Sequence, residues 1–333
     1  MVQPGAGVEM LDEADISDEG PADLIDQRPG DAVEQRLGVV AREWHAQRLD
    51  KLLVQLAPEF SRSHLQSLIE RGHVQVDGVV MTAASRKVLS GQKVLLELVP
   101  TLESRAFKPE AMDLNLVFED EHLMVVNKPP GLVVHPAAGN WSGTLMNGVL
   151  AHHAAAAGLA RAGIVHRLDK DTSGLMVVGK SLVAVTALQR MIAAREVHRE
   201  YLAMTHGVVP KTLNIEEPIR RDPQSRIRMA ALPGGKPART DVFLVATFET
   251  MSAVRCVLHT GRTHQIRVHL SCKGYPLLAD AVYGGRPMLG LTRQALHATK
   301  LSFAHPVSAK PMSFEAGLPD DLAPAWSYLT KQH

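Results

Sequence analysis

The sequence predicts an α+β protein of two folded domains, the larger built on a mixed, mainly antiparallel sheet. Three observations carry that expectation. At 333 residues the chain is long for one compact core and comfortable for two. Leucines at helical spacing mark the segment after an acidic start, whereas from Leu114 onward short apolar, β-branched runs prevail. Those runs and the helical segments between them follow no regular βαβ alternation and show no internal repeat, which argues against a doubly wound parallel sheet.

Residues 1–36 hold ten acidic side chains against Arg28 and Arg36. The stretch is Gly/Pro-containing and poor in aromatics, so it lacks the material for a core and is expected to be a disordered acidic leader. Setting it aside from the chain's 36 basic and 35 acidic side chains leaves 34 and 25, a net of +9 on the body. A basic body favours a polyanionic partner, although charge alone points only weakly to nucleic acid. No stretch approaches the roughly 20 apolar residues of a membrane span. The first residues have neither the basic nor the apolar region of a secretory signal, so the cytoplasm is the expected location. Cys256 and Cys272 show no disulfide or zinc pattern and are expected to be half-buried thiols.

Residues 37–100 read as a small αα-plus-β domain. Leu49, Leu52, Leu53 and Leu56 lie at helical spacing, and Pro58 closes that run. A second helix starts from Ser61 or Ser63 as N-cap, presents Leu65, Leu68 and Ile69, and stops at Gly72. A hairpin turning at Asp77-Gly78 follows, then a strand pair around Ser90-Gly91. Residues 101–113 read as a linker, and 114–333 as the second domain. There LMVVN and GLVVHP are strands separated by Lys128-Pro129-Pro130-Gly131, and GLMVVG, EYLAMTHGVV, TDVFLVATFE and VRCVLHT are further strands. LVAVTALQRMIAAR and THQIRVHLSCKG are helices.

The densest polar cluster, GIVHRLDKDTSGLMVVGKS, admits three chemistries. Gly174 to Ser181 satisfies G-x-x-x-x-G-K-[ST], but its middle residues are large and apolar and suit a strand, not a phosphate cradle. Asp169-Lys170-Asp171-Thr172 fits the D-x-D-x-T of haloacid-dehalogenase-type phosphatases, yet that nucleophile needs a hydrophobic strand ending at it, and His166 and Arg167 interrupt. The third reading has Asp169 as an unpaired carboxylate on a turn, flanked by Arg167. A lone acid does not suit glycoside hydrolysis, which uses two. It suits chemistry at a sugar carbon where the leaving group is kept and reused. Each residue also has a plain structural reading: an Asp before Thr-Ser-Gly forms turns, Tyr201 sits in a strand pattern, and Arg267 lies on a helix face. His135, His166 and His297 are assigned no role.

Two resemblances extend this. RLDKLL, SRSHLQSLIERGHVQVDG and KVLSGQKV resemble an S4 domain, a small RNA-binding module, and imply that Arg48, Lys51, Arg62, Arg71 and Lys87, which cluster there with Arg86, contact RNA. HRLDKDTSG resembles the HRLDxxTSG active-site motif of the RluA family of pseudouridine synthases. VVNKPPGLVVHPAAGN, REVHREYLAMTHG, TGRTHQIRVHL and PLLADAVYGG match further blocks of that family in order. The acidic leader departs from the family's usual compact N-terminus.

The RluA resemblance implies a pseudouridine synthase catalytic domain behind the S4-like one, with Asp169 as the essential catalytic aspartate. Tyr201 corresponds to the tyrosine that packs on the base and is a candidate to take its C5 proton. Arg267 corresponds to the basic partner of the aspartate, with Arg262 as rival, and Arg167 to the arginine that fills the stack left by the flipped-out uridine. It implies a substrate in large-subunit (23S) ribosomal RNA, free or in an assembling 50S particle, a monomeric enzyme, and no metal or nucleotide cofactor. The competing expectation is an RNA-binding or ribosome-assembly protein that keeps the fold without the activity.

Overall fold

A computed structural model of the protein describes residues 34–331 apart from 59, 99–105, 138 and 226. Of the expected leader, residues 1–33 lie outside the described residues. Residues 34–36 are the start of a strand. The chain divides after residue 105 into two compact units.

The N-terminal unit runs β1 (Glu34–Val39), α1 (Leu49–Leu56), α2 (Arg62–Glu70), β2 (Val74–Val76), β3 (Val79–Val80) and β4 (Lys93–Leu98). Its sheet has the order β1-β4-β2-β3, antiparallel throughout. The leucine spacing forms α1, whose Leu49 and Leu53 are buried. Ser61 is the N-cap of α2, its Oγ accepting from the His64 amide at 3.3 Å, and Leu65, Leu68 and Ile69 are buried beneath that helix. Together with Val74, Val76, Val94 and Leu96 these residues make one core, each large side chain contributing about 1.5–3 kcal/mol. The hairpin turns at Asp77 and Gly78, both with positive φ, as a two-residue Asp-Gly turn requires. The strand pair expected around Ser90-Gly91 is only half formed. Its second arm is β4, but the first makes a single bridge from Lys87 to Arg48. Its backbone is used elsewhere, since Val88 bonds Ala46 and Gln47, and the Leu49 amide donates to the Arg86 carbonyl.

The C-terminal unit opens with β5 (Leu116–Glu119), β6 (Leu123–Lys128), α3 (Leu145–His152), β7 (Ser173–Gly179), α4 (Leu182–Ala193) and β8 (His198–His206). It continues with β9 (Thr212–Ile215), β10 (Ile219–Arg221), β11 (Met229–Ala231), β12 (Thr240–Phe248), β13 (Met251–Leu258) and α5 (Gln265–Cys272). β14 (Leu296–Ala304), β15 (Pro311–Glu315) and α6 (Ala323–Thr330) complete it. Nine strands form one sheet in the order β5-β6-β7-β14-β8-β13-β12-β9, with β15 on β14, while β10 and β11 form a separate ribbon. β7 and β14 pair in parallel and the other neighbours antiparallel. The expected α+β class with a mixed, mainly antiparallel sheet is therefore what the chain adopts.

Three local expectations need correction. GLVVHP is not a strand: the Val133 and Val134 carbonyls accept from the Leu145 and Met146 amides, so this run caps the start of α3. Residues 106–113, read as linker, pack on α3, where the Asn147 amide donates to the carbonyls of Ala106 and Lys108 and the Glu110 amide donates to the Asn147 carbonyl. The cysteines are not alike. Cys256 is fully buried in β13, whereas Cys272 ends α5 and is exposed.

Candidate active site

The turn that carries Asp169 precedes β7, and the chain fixes it from several sides. The Lys170 carbonyl accepts from the Gly131 amide at 2.9 Å and from the Lys128 ammonium at 2.8 Å. Lys128 is buried and also donates to the carbonyls of Pro129 and Leu132, so one ammonium ties the Lys-Pro-Pro-Gly turn to the Asp169 turn. Burial pulls that ammonium down to about 7, against the attraction of Asp169 and Asp171. Arg293 donates to the Asp171 carbonyl at 2.7 Å and to Ser173 at 3.2 Å, and Ser173 shares a 2.9 Å hydrogen bond with His297. The parallel pairing of β7 with β14 runs from Ser173 to Gly174. A Cβ at Gly174 would lie 2.2 Å from the Ala298 carbonyl oxygen, so only glycine admits the approach.

Asp169 itself keeps 15% of its side chain exposed. Its Oδ2 accepts from Arg267 Nη1 at 3.1 Å, while Oδ1 faces His264 Nε2 across 3.9 Å, beyond hydrogen-bond reach. Arg267 projects from α5 and is nearly buried, its Nε and Nη2 gripping Asp280 at 2.8 and 3.0 Å. One guanidinium thus holds two carboxylates, with its Cζ 5.0 Å from the Tyr283 ring centre. Burial alone would raise the Asp169 carboxyl, but His264, Arg267 and Arg167 outweigh it and hold the group below the usual carboxylate range. The carboxylate is ionised at neutral pH.

The other expected residues separate into those at this site and those away from it. Tyr201 lies buried in β8, close enough to feel the Asp169 charge, and burial pushes its phenol up to about 12. Arg167 is half-buried, with its charge acting on Asp169 and on His135. Arg262 turns its Nε to the Pro237 carbonyl at 3.2 Å, so the aspartate's guanidinium partner is Arg267. In the N-terminal unit Arg48 and Arg62 both grip buried Asp50, whereas Lys51, Arg71, Arg86 and Lys87 are exposed. His166 accepts from the Val177 amide at 3.1 Å, and burial pushes it down to about 3, which makes it a structural imidazole.

Sequence reasoning passed over His264, Asp280 and Tyr283. His264 sits in the left-handed region at the start of α5, and its Nδ1 shares a 2.8 Å hydrogen bond with the Tyr283 hydroxyl, which accepts from the Met229 amide. All three lie inside the RTHQIR and PLLADAVYGG runs, where a charged or aromatic residue amid matched blocks was the available signal. Of the Gly174–Ser181 run, Gly174 to Gly179 lie in β7, buried along the strand, and Ser181 caps α4, so the run forms no phosphate cradle. Among the described residues no group of three or more His, Cys, Asp or Glu could hold a metal ion.

The geometry thus places an ionised aspartate, paired to a buried arginine, on the turn before β7 of a mixed sheet, and comparison with known proteins shows the family of the chain. A family model described as RNA pseudouridylate synthase matches residues 122–272, and the S4 domain model matches residues 47–94. The chain belongs to this family of RNA pseudouridine synthases. It is 49% identical to the ribosomal large subunit pseudouridine synthase D of Neisseria meningitidis serogroup B, over 83% of this chain and 76% of that protein. It is 43% identical to the protein of the same name from Pasteurella multocida, over 83% and 89%. Among solved structures it resembles human RNA pseudouridylate synthase domain containing 1, with a TM-score of 0.51 and 25% identity over 65% of this chain and 89% of that one. Among the described residues no helix is long and apolar enough to cross a membrane.

Proposed function

We propose that this synthase converts specific uridines of 23S ribosomal RNA to pseudouridine, on free RNA or an assembling 50S particle, acting as a monomer in the cytoplasm with Asp169 as its essential group. The observation that carries this reading is the divided carboxylate of Asp169, ionised, with Oδ2 held by Arg267 and Oδ1 left open. An acid arranged in this way can act at the sugar of a nucleotide brought to it, and its partner arginine keeps it charged and oriented.

In the isomerisation the N1–C1′ bond breaks, the uracil turns, a C5–C1′ bond forms, C5 gives up its proton and N1 gains one. Substrate and product have the same atoms, and nothing is oxidised or reduced. A stacked base hides its glycosidic bond, so the uridine must leave the helix, and in this reading Arg167 fills the vacated stack. Tyr201 packs on the base. With its phenol pushed up to about 12 it stays protonated at neutral pH, which favours packing over removal of the C5 proton. In the S4 domain, read as residues 37–100, the exposed Lys51, Arg71 and Lys87 contribute the RNA-docking charge, with Arg48 and Arg62 beside them.

The names of the relatives, large-subunit synthases at 43–49% identity, support the choice of RNA. Mapping pseudouridines in 23S ribosomal RNA from cells with and without this protein tests it. A small set of positions should revert to uridine and return with the gene. An identical map in both would overturn the substrate assignment.

A further inference from the structure

We propose that Arg199 is an anion-binding residue that receives a backbone phosphate flanking the target uridine. This rests on the reading of the chain as an RNA pseudouridine synthase and adds a residue that positions the nucleotide for it.

Arg199 lies in β8 two residues before Tyr201, so both side chains leave the same face of the strand about 6.6 Å apart along it. It is 7% exposed, and its Nε is buried with no acceptor. Among the described residues, two other deeply placed arginines of this unit are matched by carboxylates, Arg267 by Asp169 and Asp280, and Arg293 by Asp321. Among the described residues Arg199 has no such partner. Its neighbours do not compensate it. Burial, with the Arg199 charge adding to it, pushes His166 down to about 3, and burial pushes Tyr201 up to about 12, so both are neutral at neutral pH.

A buried cation without a counter-ion is costly, and an unsatisfied buried polar group in a native protein calls for an explanation. The surroundings supply one. Gly261 passes directly over the guanidinium, since a Cβ there would lie 2.7 Å from Arg199 Nη1. That glycine opens the loop that carries His264 and leads into α5, the helix that bears Arg267, so Arg199 sits against the approach to Asp169. A nucleotide whose base packs on Tyr201 and whose sugar meets Asp169 carries a phosphate on each side. A base packed on Tyr201 brings its backbone near the other side chains of that strand face, Arg199 among them, and a guanidinium fork matches two phosphate oxygens.

The test uses the full chain with Arg199→Met and Arg199→Lys. The probe is an RNA hairpin carrying a mapped target uridine, made with ordinary phosphates or with one neutral methylphosphonate on either side of that uridine. Arg199→Met should keep or raise the thermal midpoint, because it removes an uncompensated buried charge. It should weaken hairpin binding about ten-fold or more, with single-turnover conversion at saturating RNA within a few-fold of wild type. One methylphosphonate should weaken wild-type binding by a similar factor and add nothing in Arg199→Met, while Arg199→Lys keeps part of the effect.

Equal methylphosphonate penalties in wild type and Arg199→Met would overturn the proposal, as would a lowered thermal midpoint with unchanged affinity. Intact affinity with collapsed conversion would place the anion on the uracil and also overturn the phosphate assignment. Failure of the wild type to convert the hairpin counts against the proposed function instead, since the methylphosphonate comparison is read by binding alone.

Discussion

Each of the two units buries an aspartate against arginine, and the pairs differ in what is left unsatisfied. In the S4 domain Asp50 is fully buried, and its Oδ1 accepts from Arg48 Nε at 3.0 Å. Its Oδ2 accepts from Arg48 Nη2 at 3.0 Å, Arg62 Nη2 at 2.7 Å and Gln66 Nε2 at 2.7 Å. In the catalytic domain Asp169 keeps some exposure and takes one hydrogen bond from Arg267, with its second oxygen 3.9 Å from His264. The first carboxylate is saturated and joins the start of α1 to α2. The second is charged, held on one side and open on the other. Burial and ion pairing are therefore common to both aspartates; what sets apart the one proposed as catalytic is unfilled hydrogen-bonding capacity beside a fixed partner.

The widest separation should appear when each aspartate is replaced by asparagine. Asp169→Asn should abolish turnover while leaving the fold intact. Asp50→Asn should cost about 2–3 kcal/mol in stability of the S4 domain, because it leaves donors facing a lost charge, with half-exposed arginines softening the loss. At saturating RNA its chemical step should be unchanged, and a loss of that step would erase the distinction drawn between the two sites.

Arg267→Met sharpens the comparison by damaging the site and its scaffold together. It strands Asp169 and Asp280, so turnover should fall about 10²-fold or more, and the thermal midpoint should drop with it. The pH signature is specific. Asp169 has a depressed folded-state value, so its stabilising contribution is fully present above the ordinary carboxylate pKa and is lost as pH falls through the depressed one. The wild-type rate should hold down to that depressed value, whereas in Arg267→Met the acid limb should begin at higher pH. An unshifted limb would mean that Arg267 does not set the charge of Asp169.

A smaller effect is expected from removing residues 1–105. The catalytic domain should remain folded and active, with weaker choice among uridines, as read by mapping its products. Undiminished choice would leave the S4 domain without a role in selection. The smallest effects belong to single substitutions of Lys51, Arg71 or Lys87 by alanine. Each should weaken RNA affinity without altering site preference and lower the log–log salt slope by about 0.7–0.9. A slope unchanged in the triple variant would remove this face from the docking surface.

Much of this division was legible in the sequence because it rests on local signals. The α1 leucines, the Ser61 cap and the Asp77-Gly78 turn are set by neighbours in the chain, and the structure forms each of them. β14 was not anticipated. It is the central parallel partner of β7, but LHATKLSFA shows no clean alternation, since it is buried on both faces over much of its length. GLVVHP misled for the opposite reason: an apolar, β-branched run suits a strand, but here its carbonyls cap α3. At the site, the family resemblance favoured Arg267 and left Arg262 as a rival, and only their hydrogen bonds separate them, Arg267 to Asp169 and Arg262 to the Pro237 carbonyl. His264 and Asp280 were invisible as functional residues because their roles lie in what they face, 95 and 111 positions from Asp169 along the chain.

The central claim is that Asp169 is the working carboxylate and Asp50 a structural one. It is tested most directly by single-turnover release of tritium from C5-labelled uridine in ribosomal RNA, at saturating protein, for Asp169→Asn beside Asp50→Asn. Thermal unfolding and RNA titration are run on the same preparations. Asp169→Asn should give no release, with its thermal midpoint preserved and its affinity within a few-fold of wild type, because the missing group acts in the transition state and not in docking. Asp50→Asn should show a near-wild-type rate and a lowered midpoint. Release at a near-normal rate by folded Asp169→Asn protein would contradict the claim.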